Sequence, residues 1–291
     1  MKFLIVTADD FGLHVAVNRA VEQATREGVL TAASLMVGAP AAADAVQRAR
    51  ESGLAVGLHL VLADGWSVLP PRRIPALVDA EGRFGNNMVR DGVRFFTLPS
   101  VRRQLEAEIR AQFQAFADTG LPLDHVNAHK HFHLHPTLLE MLLRIGEEFG
   151  IPAVRLPREP AWAARRAGGS IAGPAVASLL SPWLAIMRRR LRAASIAHND
   201  YVFGMSGSGA MDEAWLLEIL ARLPDGVTEI YLHPAVESGA AIAASMSGYR
   251  HSDELAALLS PRVRAAVAAS RAVTGSFKQL ATAQAAELRA A

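Results

Sequence analysis

Short apolar runs alternate along the chain with longer segments in which apolar residues recur at helical spacing. This alternation is typical of β–α units built around a parallel sheet. The apolar runs predict strands at 2–8, 31–37, 54–62, 124–129, 153–157 and 228–233. The periodic segments predict helices at 15–27, 41–52, 100–118 and 137–149, and a glycine, the usual helix stop, follows each of them closely.

The number of these units predicts a TIM-barrel-like, irregular parallel βα barrel rather than an open sheet. Two segments break the rhythm. Residues 63–98 are predicted to form a long loop rich in glycine, proline and arginine, and residues 158–210 an insertion with a basic run. Long connections in a compact domain are usually functional lids or disordered segments. We therefore expect residues 1–291 to form one α/β barrel domain that carries a lid-like insertion at 158–210.

Composition narrows the chemistry that this barrel can carry. The chain has 291 residues, of which 51% are hydrophobic, so it can bury a large core. The net charge is only +2 and no nucleic-acid-binding motif is present, so we expect no nucleic acid partner. The absence of cysteine excludes disulfides, thiolate nucleophiles and cysteine zinc sites. Any metal must therefore be bound by histidine and carboxylate.

The sequence also bears on location. The opening "MKFLIVTADDFG" is too short for the apolar region of a signal peptide, and with no cysteines we expect a cytoplasmic protein. The uncharged run at 168–187 contains Pro174 and Pro182 and has arginines on both flanks, so we do not expect it to span a membrane. Residues 171–192 have the composition of an interfacial helix, which predicts peripheral contact with the inner membrane. A lid helix packed on the barrel rim is the alternative, and the sequence leaves a homo-oligomer open.

Chemically reactive residues cluster at the predicted strand ends. The first strand ends in Asp9 and Asp10, the third contains His59, the fourth runs into His129, and the sixth ends in His233. In barrels and parallel sheets the reactive groups collect where strands end and loops begin. Several strands therefore present an imidazole or a carboxylate at one rim.

Four histidines recur at every second position in "HKHFHLH", residues 129–135. On an extended chain they share one face but lie about 6–7 Å apart, whereas Zn–N bonds are about 2.0–2.1 Å. The stretch is therefore expected to supply one metal ligand, His129, which lies deepest on the strand. We expect His131 and His133 to support the ligands or to contact substrate.

Asp10 and His59 complete a predicted metal site with His129. Two imidazoles and one carboxylate leave open positions for water and substrate. One divalent ion is expected, with Zn²⁺ favoured by the imidazoles and Mg²⁺ as the alternative. Successive strand residues diverge, so the adjacent Asp9 is predicted to be a general base rather than a ligand.

Each of these residues also has a structural interpretation. Two aspartates before Phe-Gly fit an ordinary turn, His59 between leucines fits a buried core histidine, and His233 before Pro234 fits a strand cap. The later histidines fit a surface metal tract or polar residues at the entry to a helix. The coincidence at successive strand ends favours a shared site.

These motifs resemble the YdjC-like carbohydrate deacetylases, a family that includes chitooligosaccharide deacetylases. The resemblance covers most of the chain and is carried by "TADDFGL" near the start, "GLHLVL" at 57–62, "HVNAHKHFHLHP" at 125–136 and "YLHPA" at 231–235. "NAHKHFHLHP" followed by "VRLPREP" at 154–160 is more similar to the hopanoid-biosynthesis-associated branch called HpnK.

The resemblance implies a TIM-barrel-like fold and hydrolysis of an N-acetyl group from an amino sugar. It assigns the metal to Asp10, His59 and His129, the base to Asp9, and the acid for the leaving amine to His233. For the HpnK-like branch the implied substrate is a glycolipid, N-acetylglucosaminyl bacteriohopanetetrol.

One position departs from the family pattern. The chitooligosaccharide members have an acidic residue two positions before the metal histidine, where this chain has Asn127. The departure weakens any transfer of their substrate preference and of one orienting hydrogen bond. Asn127, Arg155 and Glu159 are expected to orient the base or to bind the sugar. Two other functions stay open: a non-haem iron oxygenase, which the parallel βα pattern disfavours, and a glycolipid carrier without catalysis.

Overall fold

The strand β1 (Lys2–Phe11) lies at the centre of the sheet, and every residue after Lys2 is buried. A continuous apolar run of this kind is typical of a parallel strand that is covered on both faces. The computed structural model describes residues 2–166, 172–238 and 242–290. The other strands are β2 (Ala32–Leu35), β3 (Ala55–Leu60), β4 (Leu123–Ala128), β5 (Tyr201–Phe203), β6 (Gly226–Leu232) and β7 (Val273–Thr274). The strand order is β4-β3-β2-β1-β6-β5, all parallel, and the short β7 pairs with the start of β1.

The segment 153–158 closes this sheet into a barrel. The Val126 N–H of β4 donates to the Ala153 carbonyl at 2.9 Å, and the Val202 N–H of β5 donates to the Arg158 carbonyl at 2.9 Å. Hydrogen bonding therefore continues around the sheet from β4 to β5, as barrel closure requires. The prediction of an irregular βα barrel is confirmed. Its irregularity lies here, since the predicted strand 153–157 pairs only through isolated bridges at Ala153 and Val154.

Helices cover the outside of the barrel. Four of them agree with the sequence predictions to within one residue at each end: α1 (Val15–Glu27), α2 (Ala42–Ser52), α4 (Pro99–Asp118) and α5 (Pro136–Glu148). The remaining helices are α3 (Met88–Thr97), α6 (Ala161–Arg166), α7 (Ala172–Ala193), α8 (Glu213–Ala221), α9 (His251–Leu259), α10 (Pro261–Ala269) and α11 (Phe277–Ala290).

Two predictions about the long connections need correction. The predicted loop 63–98 is wrong at its end, where α3 packs Phe95 against Phe132 with ring centroids 5.4 Å apart. Gly92 in the middle of α3 obscures the helical pattern, but the His135 ring passes close to it and leaves no room for a larger residue without a shift. The insertion 158–210 contains β5, a strand too short to read from the sequence.

The helix α7 covers most of the predicted interfacial segment 171–192. Residue 171 lies outside the described residues, as do 168–170 of the uncharged run. In the described part of α7, Leu184, Met187 and Leu191 are buried, and the Trp183 indole donates to the Leu134 carbonyl at 2.8 Å. This apolar side packs on the barrel, as the lid-helix alternative predicts. Among the described residues, no helix is long and apolar enough to cross a membrane.

The barrel interior changes from apolar to polar along β1. Phe3 and Ile5 pack with Phe277 of α11 in an apolar cluster at the start of the strands. Thr7 and Asp9, further along, are buried and bonded to buried polar side chains. Alternate strand residues share a face, so these four side chains point into the same interior. Apolar side chains therefore fill the barrel at the start of the strand, and polar and charged side chains fill it at the end.

Gly57 of β3 lies against the ring of His125, and we predict that Gly57→Ala destabilises the protein. An added Cβ meets the His125 ring at 2.5 Å, too close for any real contact. Overpacking of this kind costs about 1–3 kcal/mol, measurable by urea denaturation. Gly248→Ala is the control, because nothing lies within 4 Å of its added Cβ. Equal stability of the two variants would contradict the packing described here.

Candidate functional site

The turn after β1 separates the two neighbouring aspartates. Asp10 adopts a left-handed backbone conformation with φ of 61°, and the pairing of β1 with β2 shifts register between Ala8 and Phe11. Aspartate tolerates this conformation better than most residues, although it still costs about 1–3 kcal/mol. The strained turn sends the two carboxylates into different surroundings, as the sequence predicts.

Asp10 meets His59 and His129. Its Oδ1 lies 3.3 Å from His59 Nε2 and 3.1 Å from His129 Nδ1. One ligand atom from each residue lies within 4.8 Å of the others, so the three form a potential metal-binding triad. All three residues are buried. The two imidazoles are ion-pair partners of Asp10 Oδ1, but neither carboxylate oxygen accepts a well-aligned hydrogen bond from a described residue. A divalent cation among the three residues fits this arrangement.

The charges of the triad support one another. Burial raises the pKa of Asp10, but the neighbouring His129 and His59 outweigh burial and hold that pKa well below its usual range. Burial lowers the pKa of His59, yet Asp9 and Asp10 outweigh this and raise it. The triad therefore holds an ionised carboxylate, and a bound cation would take over the role of the imidazole protons.

Asp9 is fixed by Arg155 instead. The guanidinium donates from Nη1 to Asp9 Oδ2 at 2.5 Å and from Nη2 to Oδ1 at 2.9 Å. Burial raises the pKa of Asp9, but Arg155, with His59 and His233, outweighs burial and holds the pKa far below its ordinary value. Asp9 is thus ionised and rigidly oriented, and it is a weak base.

Arg155 is itself completely buried and has two acidic partners. Besides Asp9 it donates from Nε and Nη2 to Glu229 at 2.8 and 2.7 Å, and its guanidinium lies 4.4 Å from the centre of the Tyr231 ring. Burial lowers the pKa of Arg155, but the two carboxylates raise it above its usual value. A buried charge pair that loses one member costs several kcal/mol, typically about 3–5. This cluster therefore fixes Asp9 as well as the barrel wall.

His233 reaches the same site from the end of β6. Its Nε2 lies 3.9 Å from Asp10 Oδ2, and its ring packs between Tyr231 and Tyr249. The backbone is held on both sides, because its N–H donates to Glu254 and its carbonyl accepts from His251 Nδ1. The predicted site residues Asp9, Asp10, His59, His129 and His233 thus lie together.

The histidine run does not share one face, contrary to the expectation for an extended chain. β4 ends at Ala128, and Lys130 and His131 adopt left-handed conformations with φ of 53°. His131 Nε2 lies 2.9 Å from the Tyr231 hydroxyl, and His133 Nε2 lies 3.0 Å from the Arg155 carbonyl. The run therefore brings His129 to Asp10 and places His131 and His133 against Tyr231 and Arg155.

These buttressing histidines are neutral. Burial, reinforced by the nearby Arg155 charge, lowers the pKa of His131 well below its usual value. Burial likewise lowers the pKa of His133 to about 3. Neutral rings can bond Tyr231 and the backbone without adding positive charge beside a cation site.

Asn127 and Glu159 occupy different places. Asn127 lies behind His59, with Oδ1 2.6 Å from His59 Nδ1, so it contacts His59 and does not line the cavity. Glu159 accepts hydrogen bonds from the backbone N–H groups of Gly204, Met205 and Ser206. Glu159 therefore holds the loop over the site, and its predicted contact with sugar stays a prediction.

A cavity of about 150 Å³ opens onto Asp9, His59 and His129. Ligand pockets are commonly about 300–1,000 Å³, so this cavity is too small to enclose a whole ligand of ordinary size. Several residues that line the cavity were not predicted from the sequence: Met205, Ser208, Tyr231, Ser245, Met246 and Tyr249. Tyr231 alone had a readable signal, since it lies two residues before His233 on one strand.

The chain resembles known proteins over nearly its whole length. A chitooligosaccharide deacetylase of Serratia marcescens is 30% identical over 287 residues, covering 96% of this chain and 99% of that protein. A carbohydrate deacetylase of Geobacillus stearothermophilus is 29% identical over 270 residues, covering 92% and 93%. A third relative, a carbohydrate deacetylase of Brevibacillus brevis, is 41% identical over 155 residues, which span 53% of this chain and 59% of that protein.

Fold and family comparisons agree. A crystal structure from Enterococcus faecalis V583, whose description proposes cellobiose-phosphate cleavage, superposes with a TM-score of 0.73 at 25% identity and covers 96% of this chain and 98% of that one. The family model described as YdjC-like protein matches residues 3–269. Since that match spans almost all of the barrel, the chain belongs to the YdjC-like protein family.

Proposed function

We propose that the protein is a metal-dependent carbohydrate deacetylase, a hydrolase that removes the N-acetyl group of an amino sugar. One observation carries the proposal: two adjacent carboxylates are divided between two tasks. Asp10 faces His59 and His129 with unbonded oxygens, whereas Asp9 is oriented by Arg155 beside the same cavity. The names of the Serratia marcescens and Geobacillus stearothermophilus relatives support the same activity.

Asp10, His59 and His129 would hold one divalent ion. Their imidazoles favour Zn²⁺, with Mg²⁺ as the alternative. When bound, the ion would polarise the acetyl carbonyl and acidify the attacking water, which lets a carboxylate as weakly basic as Asp9 take a proton.

The protein's own residues move the protons. Asp9, held in place by Arg155, accepts one proton from the attacking water. As the carbon–nitrogen bond of the acetamide breaks, His233 delivers a proton to the departing amine. Water and the N-acetyl sugar thereby give acetate and a free amino sugar. The neutral His131 and His133 keep Tyr231 and Arg155 in position during this exchange.

For the substrate we propose the N-acetylglucosaminyl head of a hopanoid lipid, N-acetylglucosaminyl bacteriohopanetetrol, in keeping with the HpnK-like motifs. The small cavity supports a substrate that inserts only its acetamido end and leaves its bulk outside. A chitooligosaccharide is the second candidate, supported by the full-length Serratia marcescens relative.

Peripheral contact with the inner membrane through residues 171–192 belongs to the same proposal. The apolar side of α7 packs on the barrel, but Ile186 is exposed, as are Arg189 and Arg190. This surface supports electrostatic contact with anionic headgroups around one apolar anchor rather than deep insertion.

Asp9→Asn and Asp10→Ala are expected to separate catalysis from metal binding. Asp10→Ala loses zinc, because it removes the carboxylate ligand, and releases no acetate. Asp9→Asn keeps zinc but turns over about 10²–10⁴-fold more slowly, the usual contribution of a positioned base. Metal content and acetate release are measured on both, with Asp225→Asn, in the turn before β6, as control. An active Asp9→Asn protein would remove the base assignment.

The glycolipid is expected to be the better substrate. Acetate release is measured with N-acetylglucosaminyl bacteriohopanetetrol and with N,N′-diacetylchitobiose, with and without zinc. We expect a kcat/KM at least about tenfold higher for the glycolipid, a difference worth about 1.4 kcal/mol. A preference for diacetylchitobiose would favour the second candidate, and glycolipid binding without acetate release would indicate a carrier.

Membrane contact is expected to depend on lipid charge. The protein should float with liposomes that contain anionic lipid, fail to float with neutral ones, and dissociate at high salt, since screening weakens surface attraction. Arg189→Glu and Arg190→Glu together should abolish flotation, whereas Arg222→Glu, an exposed arginine next to α8, should not. Flotation of none of these proteins would dismiss the contact.

A further inference from the structure

A chain of buried hydrogen bonds runs from His59 away from the cavity. His59 Nδ1 lies 2.6 Å from Asn127 Oδ1, and Asn127 Nδ2 lies 2.9 Å from Ser34 Oγ. Ser34 Oγ lies 2.9 Å from His125 Nε2, and His125 Nδ1 lies 2.9 Å from Asp124 Oδ2. All five side chains are buried, so no solvent interrupts the chain.

This chain reaches the opposite end of the barrel. Asp124 is the second residue of β4, and its other oxygen accepts from the Lys278 N–H of α11 at 2.9 Å. It precedes His129 by five residues, which on a strand corresponds to about 16 Å. The environment of a metal ligand is therefore tied to a carboxylate far from the cavity.

Ser34, His125 and Asp124 contact one another in the order of a hydrolytic Ser–His–Asp triad. Ser34 is completely buried, however, and lines no part of the cavity beside His59. A hydroxyl that substrate cannot reach is not a nucleophile. The three residues must act through the direction of their hydrogen bonds.

That direction follows from Asp124. Burial raises the pKa of Asp124, but the hydrogen bond from His125, with those from Ser276 and Lys278, outweighs it and lowers the pKa below its usual value. An ionised carboxylate only accepts, so His125 donates from Nδ1. With Nδ1 as its one protonated nitrogen, His125 accepts the Ser34 hydroxyl proton at Nε2. The Ser34 oxygen is left to accept from the Asn127 amide.

Asn127 has a second orientation that competes with this one. With the amide turned over, its oxygen accepts from Arg155 at 3.0 and 3.1 Å and from Ser34, and its nitrogen donates to His59 Nδ1. His59 would then carry its proton on Nε2, the atom that faces Asp10, and could not offer that atom to a cation. Arg155 favours this turned amide, because in the first orientation the Asn127 nitrogen lies 3.0 and 3.1 Å from two guanidinium nitrogens that are also donors. The chain from Asp124 opposes the turned amide, because that orientation leaves the Ser34 oxygen without a donor.

We propose that Ser34, His125 and Asp124 are positioning residues that keep the Asn127 carbonyl toward His59, so that His59 holds its proton on Nδ1 and presents Nε2 to a metal ion. The inference rests on the proposed metal site and assigns a function to buried residues that the deacetylase chemistry does not use. Ligating histidines commonly have such a partner on the other ring nitrogen. Here the partner is an amide, which has an acceptor oxygen on one side and a donor NH₂ group on the other. Its orientation must therefore be set by residues on the side away from His59.

The first test measures zinc affinity by competition with a chromogenic chelator. Ser34→Ala is expected to weaken zinc binding about 10–100-fold, because Asn127 loses its acceptor and turns toward Arg155. In an Asn127→Asp background, Ser34→Ala should change affinity by no more than about twofold, since a carboxylate accepts from His59 and Arg155 in either orientation. Thr228→Val is the control, because it removes a buried barrel hydroxyl that has no hydrogen bond among the described residues.

The second test locates the ring protons of His125 by ¹⁵N NMR, a signature that a merely structural role would not move. The proposal requires a proton on Nδ1 and a bare Nε2 in the wild-type protein, with or without zinc. A proton on His125 Nε2 would reverse the chain and overturn the proposal. So would unchanged affinity in Ser34→Ala, or an equal loss in both backgrounds. If the wild type binds no zinc, the proposed function fails, and the His125 signature still decides the direction of the chain.

Discussion

The burial of the Asp10 carboxylate is the constraint on which the site depends. A buried charge without partners is too costly to persist. The fold places the imidazoles of His59 and His129 within 3.3 Å of Asp10 Oδ1, yet neither oxygen accepts a well-aligned hydrogen bond among the described residues. This arrangement is stable only while positive charge faces Asp10, whether on the rings or on a cation. The left-handed turn at Asp10 brings the carboxylate to this position.

The neighbouring carboxylate shows how the fold gives identical groups different chemistry. Asp9 is one residue away, yet it points to Arg155, which is shared with Glu229 at the barrel wall. The guanidinium orients Asp9 and lowers its basicity, so the proposed proton transfer would need a water that a bound cation has acidified. A fixed carboxylate beside a potential metal-binding triad is the combination on which the proposed hydrolysis of an amide depends.

Sequence patterns anticipated the parts of this design that are local. The strand ends at Asp9, His59, His129 and His233 follow from apolar runs, and their convergence follows from the rule for parallel strands. The turn within the histidine run could not be read, because left-handed conformations at Lys130 and His131 are set by packing rather than by residue type. The helix α3 could not be predicted because Gly92 interrupts its helical pattern, and β5 could not be predicted because it is too short. The partnership of Asp9 with Arg155 joins residues 146 positions apart, so only the folded chain reveals it.

The position of a bound ion tests this account most directly. Crystals of the protein grown with zinc, measured at the zinc absorption edge, should show one strong anomalous peak among Asp10 Oδ1, His59 Nε2 and His129 Nδ1, with Asp9 next to it but not bound. An anomalous peak at His131 and His133 instead, or no peak in crystals grown with zinc, would contradict the claim that the buried Asp10 carboxylate holds a cation.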